Sequence, residues 1–132
     1  MQDKQLRIII VDDDPINNMI CKKVIIKTIP KADIISFTEP EAGLVYLLSM
    51  FENKQAAKAI LFLDINMPTI TGWEFIDQLV AGGIKINVQL FIYILSSSVN
   101  PTDKEKAKIN NNVVDYIEKP LSVEVVKSLA LN

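Results

Sequence analysis

The sequence predicts an α/β domain: a parallel sheet with helices packed on both faces. Three observations predict it. Short runs rich in Ile, Val and Leu alternate with longer helical segments. The short runs are apolar almost throughout, as strands buried on both faces must be. Five such runs alternate with five helical segments, so each strand returns through a crossover, which is right-handed. A chain of 132 residues can bury one real core and is short for two. The expected organisation is one domain over residues 1–132, with its core from about 6 to 129.

Leu6 to Asp12 reads as the first strand. Asp14-Pro15 then supplies a cap and a first helical residue, and the helix runs to about Thr28, with Pro30 just beyond. Asp33 to Phe37 is the second strand. Thr38 is expected to cap a helix from Glu39 to about Phe51, whose Leu44, Leu47 and Leu48 share a face. A polar loop over 52–58 leads to the third strand, Ala59 to Asp64. Asn66 to Gly72 is a loop, and Trp73 to Val80 a short helix ended by Gly82-Gly83. Val88 to Leu95 is the fourth strand and Pro101 to Ile109 a polar helix. A turn at Asn110-Asn111-Asn112 precedes the fifth strand, Val113 to Ile117. Ser122 caps a last helix running to about Leu131.

Composition narrows the function. Apolar residues make up 49% and charged residues 23%, which is globular and not disordered. A net charge of -2 provides no basic field for nucleic acid. No apolar run approaches the roughly 18 residues that span a bilayer, and the start does not read as a signal peptide. The expected location is the cytoplasm, without membrane contact. Cys21 is the one cysteine, so an intramolecular disulfide is excluded, and its helical position reads as core. Histidine is absent, which excludes a Ser-His-Asp triad and a His-ligated zinc site. It also means the chain cannot itself carry phosphohistidine.

The charges at the strand ends hold the chemistry. The first run ends in Asp12-Asp13, the third in Asp64, and the fifth leads into Glu118-Lys119-Pro120. Parallel strands would bring these to one edge, where open α/β sheets bind ligands. Three carboxylates and a lysine there suit a hard dication and a phosphoryl group. Asp64 by position can be a metal ligand, a nucleophile or a loop cap. Ser96-Ser97-Ser98 follows the fourth strand, beside Asp64. Lys119 can pair with Asp64 as a compact point charge, and a cis prolyl bond would aim it inward.

These motifs, in this order, resemble the receiver domain of two-component response regulators: Val11-Asp12-Asp13-Asp14-Pro15, then Leu63-Asp64-Ile65-Asn66-Met67-Pro68 with Gly72, then Leu95-Ser96-Ser97, then Tyr116-Ile117-Glu118-Lys119-Pro120. The resemblance runs from about Leu6 to Leu129. It implies the flavodoxin-like (βα)5 sandwich with strand order 2-1-3-4-5. It implies that Asp12, Asp13 and Asp64 hold Mg²⁺ (Mn²⁺ as a substitute), one of the pair through water, with the Asn66 carbonyl as a further ligand. Asp64 matches the phosphoacceptor, Lys119 the catalytic lysine, Ser96 the switch hydroxyl and Tyr116 the switch aromatic. The implied partner is a sensor histidine kinase or histidine phosphotransfer protein, which passes a phosphoryl group to Asp64 and so switches a protein-binding surface. The chain would catalyse only its own phosphorylation and dephosphorylation.

Two features depart from the commonest pattern. The loop over 52–58 is slightly long, and Thr69-Ile70-Thr71 stands where Met and Asp are frequent at the second and third places. Three rival readings are weaker. A Mg²⁺-dependent phosphohydrolase wants a second acid where Asn66 stands. A degenerate receiver scaffold would lack some of the competent positions present here. A flavin-binding relative would place its phosphate against three repelling aspartates.

Overall fold

The computed structural model describes residues 6–52, 58–129 and 131. Strands and helices alternate as β1 (Arg7–Val11), α1 (Pro15–Thr28), β2 (Asp33–Phe37), α2 (Pro40–Glu52), β3 (Ala59–Leu63), α3 (Gly72–Ala81), β4 (Leu90–Ser96), α4 (Pro101–Ile109), β5 (Val113–Glu118) and α5 (Val123–Ser128). The five strands form one sheet in the order β2-β1-β3-β4-β5. Every neighbouring pair is parallel. The expected flavodoxin-like order is therefore the observed one.

Alternation of side chains along the strands divides the core between two faces. Ile9, Val11, Leu61, Leu63, Ile92 and Ile94 pack toward Leu44 and Leu47 of α2, Phe75, Ile76 and Leu79 of α3 and Ala107 of α4. Ile8, Ile10, Ile60, Phe62, Tyr93 and Leu95 pack on the opposite face toward Cys21 and Ile25 of α1 and Val126 of α5. Cys21 is thus a core residue. Every residue of β3 is buried, whereas the edge strand β5 exposes Val114, Asp115 and Glu118.

Two of the three expected helix-start caps form. Asp14 accepts from the Ile16 N–H and Ser122 from the Val125 N–H. Thr71 and Glu74 make a reciprocal capping box, which starts α3 at Gly72, one residue before Trp73.

Several boundaries differ from expectation. α2 starts at Pro40 and not behind a Thr38 cap; the Glu39 carbonyl accepts from Ala42 and Gly43, and proline suits a first turn. β4 starts at Leu90, because Asn87 takes φ 66° and turns the chain, leaving Val88 exposed. α5 ends at Ser128 and not near Leu131: the Ser128 hydroxyl bonds back to the Val125 carbonyl, and the Leu129 N–H is shared among carbonyls of the last turn. β1 and β3 end one residue before Asp12 and Asp64, which leaves both acids just past their strands. The expected long loop falls largely on 53–57, outside the described residues.

Candidate functional site

β1 and β3 are central neighbours in the sheet, and their register pairs Val11 with Leu63. The next residue on each strand is an aspartate. The Asp64 N–H continues the ladder to the Val11 carbonyl at 3.0 Å, and the Asp12 N–H reaches the Phe37 carbonyl at 3.1 Å. Asp12 and Asp64 are therefore fixed by backbone pairing at one edge of the sheet, both buried, with Asp13 exposed beside them. One carboxylate oxygen from each of the three lies within 4.8 Å of the others. These are hard oxygen donors in a small space with one exposed member, and they fit a hard dication.

Lys119 supplies the opposing charge. Its Nζ lies 2.6 Å from Asp12 Oδ2 and 3.8 Å from Asp64 Oδ1. The Lys119 N–H donates to the Ser96 carbonyl at 3.0 Å, extending the β4–β5 pairing past the end of β5. The Lys119-Pro120 peptide is cis.

The charges perturb one another. Burial first, and then the Asp12 charge, push the Asp64 carboxyl up to about 6, against the opposing pull of Lys119 and a hydrogen bond from the Asn66 main chain. Burial alone would lower Lys119, but its bond to Asp12 and the charges of Asp64 and Asp12 outweigh this and raise it. Burial and then Asp12 push the nearby Cys21 thiol up to about 11, so it is a neutral packing group.

Ser96 and Tyr116 meet through a third residue. Ser96 is fully buried at the end of β4, and its Oγ accepts from the Ser98 N–H at 3.1 Å. The Tyr116 hydroxyl donates to the Ser98 carbonyl at 2.6 Å. The Ser98 hydroxyl donates to Asp103 of α4 at 2.7 Å and accepts from the Asn100 N–H. The Ser96–Tyr116 pair is thus joined to α4 by Ser98, one member of an otherwise undistinguished serine run. Asn66 is exposed, and its main chain hydrogen-bonds Asp64.

Sequence reasoning missed two residues of α1. Asn17 Nδ2 donates to Asp12 Oδ2 at 2.7 Å, and Asn18 Nδ2 to the Asp12 carbonyl at 3.0 Å. Both are buried, whereas Ile16, Met19 and Ile20 of the same helix are exposed. An asparagine pair about one helical turn past the acidic pair was the available signal.

Gly72 closes the loop after Asp64. Its N–H donates to the Ile65 carbonyl at 2.8 Å. A Cβ there would lie 2.6 Å from the Asp64 carbonyl oxygen and 3.0 Å from Ile65 Cα, both main-chain atoms that cannot swing aside. Gly72→Ala is expected to destabilise the domain by about 1–3 kcal/mol through overpacking. A denaturant melt checks this, and an unchanged midpoint would show that the loop absorbs the methyl group.

The family model of the response regulator receiver domain matches residues 8–130. The fold is similar to that of a two component response regulator from Cytophaga hutchinsonii, with TM-score 0.85 and 30% identity, covering 97% of this chain and 96% of that one. Stress response regulator protein 1 of Meyerozyma guilliermondii is 35% identical over 72 residues, 53% of this chain. Two-component response regulator ARR2 of Arabidopsis thaliana is 22% identical over 124 residues, 94% of this chain. The chain spans only 30% and 17% of the lengths of these two curated relatives. Receiver domains are signalling switches and not metabolic enzymes. Asp12, Asp13 and Asp64 fit the acidic pocket of a phosphoacceptor site, and the chain belongs to the response regulator receiver domain family of two-component signalling.

Proposed function

We propose that Asp64 accepts a phosphoryl group from a phosphohistidine on a partner kinase or phosphotransfer protein. The observation that carries this reading is a buried carboxylate within 4.8 Å of two others and 3.8 Å from a lysine amine. An Asp64 oxygen attacks phosphorus in line with the P–N bond. That bond breaks, its electron pair returns to the imidazole nitrogen, and Asp64 becomes an acyl phosphate. Lys119 needs only a short move from Asp12 to meet the phosphoryl oxygens. Asp12, Asp13, Asp64 and the Asn66 carbonyl would hold Mg²⁺, which would supply further charge neutralisation. Water attacking phosphorus in the same site later regenerates the carboxylate. Buried Asp64 is shielded on the core side, while exposed Asp13 marks the open side where donor and water enter.

The test is intact mass after incubation with a phosphorylated histidine phosphotransfer protein, and separately with phosphoramidate. One added phosphoryl group, formed only with Mg²⁺, is expected. An unchanged mass with both donors would overturn the reading.

Ser96 and Tyr116 act in the readout. A phosphoryl oxygen drawing on the Ser96 hydroxyl disturbs the bond that Ser96 makes to Ser98, and with it the anchorage of Tyr116 and α4. Ser96→Ala is expected to retain Mg²⁺-dependent phosphorylation and to lose about 1 kcal/mol of stability with its hydrogen bond. The change in Tyr116 ring resonances on phosphorylation should shrink. Total loss of phosphoryl uptake would instead place Ser96 in the chemical step.

A further inference from the structure

We infer that Asn17 is a positioning residue that holds the Asp12 carboxylate in place when Lys119 leaves it. The inference rests on the phosphoacceptor reading for its consequence, but its geometry stands alone. Asp12 Oδ2 has two partners in direct contact: Lys119 Nζ at 2.6 Å and Asn17 Nδ2 at 2.7 Å. Oδ1 is occupied separately, accepting from the Asp14 N–H at 2.9 Å. Asn17 is buried, and its amide also reaches Cys21 Sγ at 3.6 Å, a weak acceptor.

Lys119 cannot serve Asp12 and a phosphoryl group on Asp64 equally. It starts nearer Asp12 by more than an ångström. Moving it away from a buried carboxylate oxygen costs most when nothing else satisfies that oxygen. The Asn17 amide is a neutral donor already in place, so Oδ2 stays bonded after the lysine departs. A second cation there would do the same but would compete with Mg²⁺ for the acids. An apolar side chain would tie Lys119 to Asp12. Asn17 thus makes the lysine transferable. It also accounts for why the first turns of α1 bury Asn17 beside the acids while Ile16, Met19 and Ile20 face out.

The test uses Asn17→Leu, which keeps the branching at Cγ, adds some volume and removes the donor, in wild-type and Lys119→Met backgrounds; the added volume acts equally in both, so the cycle cancels it. Two readouts are taken. The first is thermal melting without metal, independent of any phosphoryl chemistry. With either partner present Asp12 keeps a donor on Oδ2, and with both removed it has none. The double variant should therefore melt lower than the sum of the single effects, by about 4 °C for an extra lost bond in a domain of this size. Additive effects would overturn the inference.

The second readout is the rate of phosphoryl uptake from phosphoramidate at saturating Mg²⁺. Asn17→Leu should slow uptake about tenfold where Lys119 is present, and leave Mg²⁺ affinity within a factor of about three. In the Lys119→Met background the substitution should cause no further slowing. Equal slowing in both backgrounds would show that Asn17 acts without Lys119. Asn17→Ser, smaller but still a donor, should recover part of the rate; no recovery, with the serine variant folded, would count against the donor role. If wild-type protein takes up no phosphoryl group, the proposed function fails while the melting cycle still decides the relation between Asn17 and Lys119.

Discussion

Asp64→Asn is expected to abolish phosphoryl uptake and to make the metal-free domain more stable at neutral pH. The first effect follows because an amide oxygen cannot displace imidazole from phosphorus; intact mass should stay unchanged with every donor, and residual labelling would identify another acceptor. The second follows from burial. The folded-state carboxyl titrates at about 6 against an ordinary 3.8, so between these values the folded state binds more protons than the unfolded chain. Stability therefore falls as pH rises through that window and stays reduced above it. A shift of about two units corresponds to roughly 3 kcal/mol. A neutral amide at this position carries no such penalty. The variant should melt higher than wild type above pH 6, and this advantage should vanish below pH 3.8. An advantage that persisted in acid would trace to packing and not to charge.

Lys119→Met is expected to produce the largest loss of stability among the site substitutions. The lysine side chain is mostly buried against two aspartates that are nearly inaccessible. Removing one member of a buried pair costs about 3–5 kcal/mol because the remaining charge is uncompensated. Methionine keeps the apolar stem, and the Asp14 N–H and Asn17 still hold Asp12, so a value near the lower end is expected. The lysine's raised pKa carries the same sign: its contribution is full at neutral pH and is lost only as pH rises through the folded-state value. Mg²⁺ should then stabilise the variant more than wild type, since a dication binding only the folded state acts by mass action and meets no competing cation. Melting with and without millimolar Mg²⁺ at fixed ionic strength separates binding from screening. Phosphoryl uptake should fall about 10²- to 10³-fold with the loss of a charge aimed at the transferring group. A wild-type Mg²⁺ response in the variant would show that Lys119 and the ion do not share a site.

The acids were legible because the apolar runs stop abruptly. Ile8 to Val11 and Ile60 to Leu63 leave no doubt where buried strands end, and one register step then sets Asp12 beside Asp64. Lys119 was legible for the same reason at the end of β5. Asn17 and Asn18 were not. α1 carries apolar residues all round, so periodicity cannot reveal which face turns inward, and the structure turns in the polar pair. Ser98 was hidden among three consecutive serines, since only the path of the loop into α4 selects one of them. The late start of β4 was missed because Val88 continues the apolar pattern, while the positive φ at Asn87 depends on the turn around it.

The two buried acids and their cation hang from different parts of the sheet. Asp12 and Asp64 follow central strands, with β3 buried at every residue; Lys119 follows β5, an edge strand with exposed positions. Local opening is cheapest at edges and dearest at centres. A breathing motion that frays β5 therefore withdraws the positive charge and leaves the negative ones standing. For that moment the site is a more acidic trap than the closed domain presents. Ion capture and edge order then become two sides of one equilibrium: whatever holds a dication on the acids lowers the cost of loosening the edge, and whatever fastens the edge weakens the grip on the ion.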